Sequence, residues 1–336
     1  MANKVHIGVV GAGYWGKNHI RTLDELNALG AIVESNRIKR NEILSLYPQI
    51  KVVSRLEDLD SNEIDGVVIA TPAPTHLKLA KTSIGMGKPT LIEKPLALSV
   101  KEAKELHHHT IKHNGKVMVG HLLLFHPAIN KMKSLVEEGY LGDLQYIYSN
   151  RLNFGKVRES ENVFWSFAPH DISIFQYFLG EFPSVVISQG GAFLQYDIHD
   201  TSMTYFKYPS GIQGHIFVNW LHPFKEHRIV LIGSKGSLHF EDAKFSKPLT
   251  YFKNNQNGSP IVLDQSKGEF IEYEQSLPLT KELEYFINYV SGASIQKADL
   301  DSGIDVVKIL EMATNSLKEK PLSSSPLMGE NERGGQ

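Results

Sequence analysis

Short apolar runs alternate with longer amphipathic stretches from Lys4 to Gly120. This alternation is typical of a parallel sheet whose strands are joined by helices. The apolar runs predict strands at Val5–Val10, Ala31–Glu34, Val67–Ala70, Thr90–Ile92 and Val117–Val119. Helical periodicity predicts helices at Thr75–Met86 and Ser99–Asn114.

Beyond about Gly120, extended segments dominate and few helices separate them. The alternation of apolar and polar residues predicts strands at Leu144–Asn153, Val185–Leu194, Ser202–Tyr208, Gln213–Trp220, His227–Ile232 and Ser237–Phe240. Helices are predicted at Pro127–Glu138, Ile172–Leu179, Leu279–Val290 and Ser302–Leu317. This succession indicates a mostly antiparallel sheet.

The chain of 336 residues is longer than one compact core usually supports. We therefore predict two domains, residues 1–121 and 122–321, and a polar, disordered tail over residues 322–336. An open sheet in the second domain has a face that must be covered, and pairing of subunits would cover it. A homodimer or homotetramer is expected.

Composition excludes several classes of function. The formal net charge of −2 argues against a general affinity for nucleic acids or anionic membranes. The chain has 0 cysteines, which excludes disulfides, thiolate metal sites and a cysteine nucleophile. Consecutive histidines at 107–109 point about 100° apart on a helix, so no metal site is predicted there. With no apolar run of roughly 18 residues, we expect a cytoplasmic protein without a membrane partner.

A Gly-x-Gly-x-x-Gly turn follows the first predicted strand, with glycines at Gly11, Gly13 and Gly16. The first glycine allows the tight turn, the second admits a pyrophosphate, and the third lets the helix pack on the strand. The helix that follows would direct its free N–H groups at the phosphates. Tyr14 and Trp15 are expected to face the phosphates and the substrate cleft. The turn therefore predicts a dinucleotide site.

Glu34 ends the second predicted strand. An acidic residue there accepts hydrogen bonds from the adenine-ribose hydroxyls and repels a 2′-phosphate, which favours NAD over NADP. Arg37 lies close by and would support NADP, so this alternative stays open.

Two further motifs each follow a predicted strand: Ala70-Thr71-Pro72-Ala73-Pro74-Thr75-His76 and Glu93-Lys94-Pro95. Ligands of open α/β sheets bind beyond the carboxyl ends of the strands. We therefore expect the cofactor crevice to be lined by Thr71, Pro72, His76, Glu93 and Lys94.

In combination, the glycine turn and these two motifs resemble the Gfo/Idh/MocA family of nicotinamide-dependent sugar oxidoreductases. The resemblance extends from about Val5 to about Leu317 and implies a Rossmann domain followed by an α/β domain with a large, open, mainly antiparallel sheet. It implies that Lys94 reaches nicotinamide and substrate, and that His170, in Pro169-His170-Asp171, is the catalytic histidine. Many members carry an aspartate four residues before this histidine, where this chain has Ser166.

The run from Val218 to Arg228 resembles the branch of the family that acts on nucleotide-linked sugars, especially UDP-N-acetylhexosamine 3-dehydrogenases. Arginine and lysine side chains suit a diphosphate. The expected substrate-binding residues are Lys94, His121, Arg151, Arg158, His170, Asp171, Lys225 and Arg228.

The resemblance implies NAD-dependent oxidation of the 3-hydroxyl of UDP-N-acetylglucosamine to a 3-keto sugar, which an aminotransferase would use in amino-sugar, lipopolysaccharide or lipid A biosynthesis. His170 is the expected general base, and Lys94 would bind the same oxygen or share that role. Two alternatives stay open. One is a UDP-N-acetylglucosaminuronate 3-dehydrogenase or another sugar ketoreductase, and the other is a non-catalytic NAD(P)-binding regulator.

Overall fold

A computed structural model describes residues 4–155, 157–159, 161–254, 256–257, 262–263 and 268–318. Its first sheet has six parallel strands in the order β3-β2-β1-β4-β5-β6. These strands are β1 Ile7–Val10, β2 Leu29–Val33, β3 Lys51–Val53, β4 Gly66–Ile69, β5 Thr90–Glu93 and β6 Val117–Gly120. All residues of β1, β4, β5 and β6 are buried, as the continuous apolar runs predict.

Helices connect these strands. They are α1 Tyr14–Glu25, α2 Arg37–Leu46, α3 His76–Gly85 and α4 Val100–Lys112. Sequence periodicity missed α2 and β3, and the structure shows the reason. Ile43 is the one fully buried residue of α2, and the edge strand β3 is half exposed, so neither element needs a strong apolar pattern.

The second sheet has eight strands in the order β16-β13-β12-β11-β7-β10-β9-β8. All neighbouring pairs are antiparallel except β10 with β7. Its strands are β7 Leu144–Phe154, β8 Val185–Gly191, β9 Thr201–Lys207, β10 Gln213–Asn219, β11 Leu221–Gly233, β12 Gly236–Glu241, β13 Leu249–Lys253 and β16 Glu269–Phe270. A separate hairpin pairs β14 Gln256–Asn257 with β15 Val262–Leu263. The predicted fold class, a Rossmann domain followed by a large and mainly antiparallel sheet, is confirmed.

Two strand predictions need correction. β11 begins six residues before the predicted His227, because its outer half pairs with the end of β7 through Leu221 and Phe154 across a register shift. β8 stops at Gly191, well before the predicted end at Leu194. The backbone N–H groups of Phe193 and Leu194 donate to the Asp200 carboxylate and form a turn instead.

The remaining helices are α5 Pro127–Glu137, α6 Val163–Phe167, α7 Pro169–Leu179, α8 Pro278–Val290 and α9 Leu300–Lys318. The last two return to the first domain. α8 packs against α1, and α9 packs against α4 and β6 as well as α7 and β8. Leu300, Ile304 and Val307 of α9 belong to the apolar cluster beneath the parallel sheet.

Because α9 contributes to the cores on both sides, the two domains are joined by packed apolar contacts and not only by the chain between them. The predicted boundary between residues 121 and 122 stays a prediction, and the predicted tail lies outside the described residues. None of the helices in the described ranges is long and apolar enough to cross a membrane.

Candidate active site

The glycine turn has the geometry of a dinucleotide cradle. Gly11 adopts a φ of +94°, a conformation that side chains disfavour, and a Cβ there would lie 2.8 Å from Cγ2 of Thr71. A Cβ at Gly16 would overlap the carbonyl oxygen of Gly11. A Cβ at Gly13, in contrast, would meet no protein atom within 4 Å. Gly13 therefore leaves open space at the amino end of α1, where a pyrophosphate fits.

A cavity of about 810 Å³ extends from this turn along the carboxyl ends of the parallel strands. Gly11, Gly13, Thr71 and Pro72 line it as predicted, and Glu34 lies at its far end. The Glu34 carboxylate accepts the backbone N–H groups of Ala12 and Asn36, both at 2.9 Å. A carboxylate has about four acceptor positions, so Glu34 keeps capacity for ribose hydroxyls.

Three cations that sequence reasoning did not single out, Lys39, Arg55 and Lys78, also line the cavity. Arg37, the predicted cation near Glu34, is exposed at the start of α2 and is not among the lining residues. The ionisable side chains that line the cavity are therefore Glu34, Lys39, Arg55, Glu57 and Lys78.

Tyr14 and Trp15 have different surroundings, although they are adjacent in the turn. Tyr14 is 90% exposed at the amino end of α1. The indole N–H of Trp15 instead donates to the Glu93 carboxylate. Trp15 therefore connects the glycine turn with the Glu93-Lys94-Pro95 motif.

His76 is 1% exposed, and its contacts are with protein groups. Its two ring nitrogens lie 2.9 Å from the carbonyl oxygens of Pro95 and Thr71. The imidazole thus ties together the two loops that follow β4 and β5. In the structure its role is to hold these loops, and the expected direct contact with the cofactor remains a prediction.

Lys94 lies where β5 ends and precedes a cis peptide bond to Pro95. Its ammonium group donates to the carbonyl oxygen of Ser166, 3.3 Å away on α6 of the second domain. Burial lowers the pKa of Lys94, although the charges of Glu93 and Glu161 oppose that shift. The side chain on which the family resemblance centres therefore bridges the two domains.

Glu93 is the centre of a buried hydrogen-bond group beside this lysine. Its Oε1 lies 2.7 Å from Nε2 of the fully buried His19 and also accepts from Trp15. Its Oε2 accepts the backbone N–H of Lys94 at 3.2 Å. Burial would raise the pKa of Glu93, but the hydrogen bonds from His19 and Trp15 and the charge of Lys94 outweigh it and lower that pKa.

His170 is the second residue of α7 and belongs to the second domain. Its Nδ1 is buried and has no hydrogen-bond partner among the described residues. Burial, followed by the positive charges of Lys94 and Arg151, lowers the pKa of His170 well below 6.5. The imidazole is therefore neutral near pH 7, which is the form that accepts a proton.

Arg151 and Asp171 form a buried ion pair. Nε of Arg151 lies 2.7 Å from Oδ2 of Asp171, and Nη2 lies 3.1 Å from Oδ1. This bidentate arrangement uses both oxygens of the carboxylate and most of the guanidinium fork. The positive charge of Arg151 acts on His170, and Arg151 is not available as the free diphosphate ligand that its charge indicated.

Arg228 requires a similar correction. Its Nε lies 3.0 Å from the buried Glu241 carboxylate, and its Nη1 lies 3.4 Å from Glu226. These partners come from a neighbouring strand and from β11 itself, so sequence distance did not reveal them. Two of the four predicted phosphate ligands are thus paired inside the protein.

The other two cations are open to solvent. Lys225 is exposed in β11 and has no ion-pair partner among residues that the structure describes. Arg158 is also exposed, pairs at 3.5 Å with Glu161, and lies close enough to Lys94 for its charge to lower the pKa of that lysine.

His121 follows β6 and is 1% exposed. Burial lowers the pKa of His121 to about 4, and the charges of Glu93 and Lys94 act on it. The structure thus brings His121, Lys94 and His170 together, as the resemblance implied, although their roles remain predictions. In the described ranges no group of three or more histidine, aspartate or glutamate side chains is placed to hold a metal ion.

Sequence reasoning missed His19 and Glu282, two fully buried polar residues close to Glu93. A signal for His19 exists, because Trp15, His19 and Leu23 lie on one face of a helix at a spacing of four. Glu282 also carries a signal, because it lies at helical spacing from Leu279 and Phe286, on the face where an apolar residue is expected.

Two family models match the chain. An oxidoreductase family with an NAD-binding Rossmann fold matches residues 5–121, and the GFO/IDH/MocA C-terminal domain matches residues 129–239. The chain belongs to the Gfo/Idh/MocA oxidoreductase family. The predictions of an oxidoreductase and of NAD as its cofactor are thereby confirmed for this Gfo/Idh/MocA protein.

Several family relatives have named activities. The NAD-dependent scyllo-inositol 2-dehydrogenase of Bacillus subtilis is 26% identical over 71% of this chain and 74% of its own length. The NADP-dependent D-xylose 1-dehydrogenase of Haloarcula marismortui is 21% identical over 90% of this chain and 88% of its own. The chain is therefore an NAD(P)-dependent oxidoreductase of a family whose named relatives act on sugars and polyols.

Among solved structures, UDP-N-acetylglucosamine 3-dehydrogenase GnnA from Acidithiobacillus ferrooxidans superimposes with a TM-score of 0.82. The match covers 94% of this chain and 98% of GnnA, at 20% sequence identity. This similarity shows that the two proteins share a fold over nearly their whole lengths.

Alanine substitutions in the glycine turn will separate folding from cofactor binding. Gly16→Ala forces an overlap with the Gly11 carbonyl, so we expect a loss of about 1–3 kcal/mol in the free energy of unfolding together with weaker NAD binding. Gly13→Ala meets open space within the protein, so the unfolding temperature should stay unchanged while the Kd for NAD rises about tenfold or more. Thermal denaturation and fluorescence titration measure the two effects, and wild-type NAD affinity in Gly13→Ala would contradict the proposed position of the pyrophosphate.

Proposed function

We propose that this protein is an NAD-dependent dehydrogenase that oxidises the 3-hydroxyl of UDP-N-acetylglucosamine to the 3-keto sugar. The observation that carries the proposed chemistry is the approach of Lys94, from the first domain, to His170, from the second, close enough for the lysine charge to lower the pKa of the histidine. An alcohol dehydrogenase needs a base for the hydroxyl proton and a donor that stabilises the oxygen as its negative charge develops. These two residues can supply both.

In this mechanism the neutral imidazole of His170 accepts the hydroxyl proton. The ammonium group of Lys94 donates a hydrogen bond to the same oxygen and stabilises its negative charge as the proton leaves. The cavity of the first domain would hold NAD⁺, which would supply the acceptor for the hydride from the carbon. Arg151, fixed by Asp171, keeps positive charge next to His170 and so disfavours the imidazolium in the resting state.

The open cations Arg158 and Lys225 support a nucleotide-linked substrate. Both are exposed, and Arg158 acts electrostatically on Lys94. We assign the diphosphate to these two residues and withdraw Arg151 and Arg228 from that role, because the buried carboxylates of Asp171 and Glu241 hold their guanidinium groups. Arg158 is exposed, and its partner Glu161 is only partly buried. The similarity to GnnA over nearly the whole fold supports the same substrate class.

The inositol and xylose dehydrogenases among the relatives favour a second candidate, a free polyol or sugar without a nucleotide. A UDP-N-acetylglucosaminuronate would place one more carboxylate near the same cations. A regulator that binds NAD(P) without turnover is the remaining alternative, and the preserved pair of Lys94 and His170 argues against it.

Formation of reduced nicotinamide with a panel of substrates will distinguish these functions. We expect absorbance at 340 nm to rise with NAD and UDP-N-acetylglucosamine, and to rise more slowly with the matching uronate, myo-inositol and xylose, because these substrates lack the diphosphate or add a charge. The substitution Lys225→Ala should raise KM for the UDP-sugar about tenfold and leave any turnover of a free polyol unchanged. Turnover of polyols alone would replace the UDP-sugar assignment, and NAD binding without turnover of any substrate would indicate the regulator.

Substitution of the two proposed catalytic residues tests the mechanism. Lys94→Ala and His170→Ala should each lower kcat by about 100- to 10,000-fold, because each removes a group that acts on the reacting oxygen. His108→Ala, on the exposed face of α4, is a matched control that should keep wild-type turnover.

Since the pKa of His170 is depressed, the imidazole stays neutral on acidification, and kcat/KM for oxidation should hold through pH 6.5 before it falls. An acidic limb centred at pH 6.5 or above would contradict the role of His170 as the base. Near-normal turnover in Lys94→Ala or His170→Ala would remove the substituted residue from the mechanism.

We also propose that the outer face of the second sheet pairs two copies of this chain. A row of partly exposed side chains crosses four adjacent strands through Tyr148, His215, Tyr205 and Ile187. Tyr148 and His215 stack with ring centroids 5.0 Å apart, and Ile187 is 50% exposed. Such a surface is economically covered by an identical surface around a twofold axis.

Sedimentation analysis tests this pairing. The wild type should sediment as a dimer or tetramer, and Ile187→Glu should lower the assembly state without lowering the unfolding temperature of the separated subunit, because the side chain projects from the folded sheet. Phe245→Glu changes an equally apolar side chain, 106% exposed in the loop after β12, and should leave the assembly unchanged. A wild-type monomer at micromolar concentration would refute the proposal.

A further inference from the structure

A group of buried polar atoms without partners lies behind the proposed catalytic lysine. Nδ1 of His19, both ring nitrogens of His121 and both carboxyl oxygens of Glu282 have no hydrogen-bond partner among the described residues. His19 and Glu282 are 0% exposed, and His121 is 1% exposed. Buried polar groups are nearly always hydrogen-bonded, so unmatched atoms on three residues point to a shared, local reason.

Glu282 is the least expected member of this group. It lies on the buried face of α8 with Leu279, Leu283 and Phe286, where an apolar residue would be the ordinary choice. That face packs on α1, which carries His19, and on the turn 122–125, which follows His121 directly. Three separate segments therefore converge on one buried polar region.

An ionised carboxylate without a partner is too costly to bury, so a group in this position takes up a proton. Burial, reinforced by the nearby negative charge of Glu93, raises the pKa of Glu282 well above 4.5. Glu93 is in the opposite situation, because His19, Trp15 and Lys94 stabilise its charge. The two glutamates thus adopt opposite protonation states within one buried region.

We propose that Glu282 is a positioning residue for Lys94, acting as a neutral carboxylic acid that donates, through buried water, to the His19–Glu93 pair. Water is the small partner that can serve several orphaned atoms at once, and it commonly does so in buried polar sites. The proposal rests on the proposed catalytic role of Lys94. Glu282 does not contact the substrate in this arrangement.

The route from Glu282 to Lys94 passes through Glu93. Glu93 accepts from His19 and from the backbone of Lys94, and its negative charge raises the pKa of that lysine. A donor behind the His19–Glu93 pair keeps the charge on Glu93 and fixes the carboxylate in place. Without the donor, the pKa of Glu93 would rise and its negative charge would be less stable. The pKa of Lys94 would then fall.

The charge of Glu93, at the end of β5, acts on Glu282. Of the elements packed against α8, α1 carries His19, and the turn 122–125 directly follows His121. Lys94 adjoins Glu93 in the chain. On α8 itself, Lys281 pairs with Glu274 at 3.1 Å, and Glu284 is exposed. Because burial and neighbouring charges also shift the pKa values of Glu93 and His121, kinetics alone would not identify the group responsible.

Two substitutions separate the neutral donor from the mere filling of space. Glu282→Gln keeps the size and a neutral donor, so kcat and its pH profile should stay within about twofold of wild type. Glu282→Leu keeps the volume but removes the donor, so kcat should fall about 10- to 100-fold, the effect of a small displacement of the reacting groups. The basic limb of its pH profile should move to lower pH, because the ammonium form of Lys94 is lost earlier. Glu284→Leu, on the exposed face of the same helix, is the matched control and should match wild type.

Infrared difference spectroscopy of the intact protein supplies a readout that is independent of activity. The carbonyl stretch of a protonated carboxylic acid should be present in wild type at pH 7 and absent in Glu282→Gln. This result would support the neutral state even if Lys94→Ala kept its turnover and the proposed function failed. Identical spectra in wild type and Glu282→Gln would overturn the proposal, and so would a Glu282→Leu variant with wild-type kcat and pH profile. If Glu282→Leu folds poorly, Glu282→Gln and the spectrum still test the proposal.

Discussion

The carboxylate of Glu93 is the interaction on which the rest of the site depends. It receives Trp15 and His19 from the helix of the glycine turn and the backbone of Lys94 from its own loop. One buried anion thereby couples the cradle for the cofactor phosphates to the residue that meets the reacting oxygen. The cost of burying that charge is offset because donors reach both of its oxygens. Displacement of Glu93 would disturb cofactor and substrate geometry together.

The second constraint is the junction between the domains. Lys94 and His170 come from different domains, so the chemistry needs these domains in a fixed relation. The contact from Lys94 to the carbonyl of Ser166 crosses the junction at the site itself. α9 crosses it through apolar packing. This arrangement is pre-organised, and pre-organisation is a main source of catalytic power.

The sequence predicted what depends on backbone geometry and missed what depends on partners. Close backbone packing at Gly11 and Gly16 and open space at Gly13 require glycines at this spacing, so the turn can be recognised from the sequence alone. The charges of Arg151 and Arg228 were equally legible, but their carboxylate partners lie on other elements, and only the sheet register and α7 bring them together. A cation in the sequence indicates that an anion will pair with it. The sequence does not show whether that anion belongs to the protein or to the substrate.

The same limit explains the two buried residues that went unnoticed. His19 and Glu282 become significant only when α1 and α8 pack together over Glu93. The exposed face of α2 and the short edge strand β3 were missed for the opposite reason, because they bury too little to impose a pattern. Strong periodicity marks elements with a full apolar face, and the weakly buried or unusually polar ones are left to the tertiary structure.

The place of α9 has a consequence for how the chain reaches this structure during synthesis. Leu300, Ile304 and Val307 complete the apolar cluster under strands that are made near the beginning of the chain. The ribosome delivers the amino-terminal strands first and this helix last. The nucleotide-binding half therefore emerges with an uncovered apolar surface on α4 and β6, and it waits for nearly the entire second half to be translated before that surface closes. The first domain is synthesised first, but its packing is complete only after α9 has been synthesised.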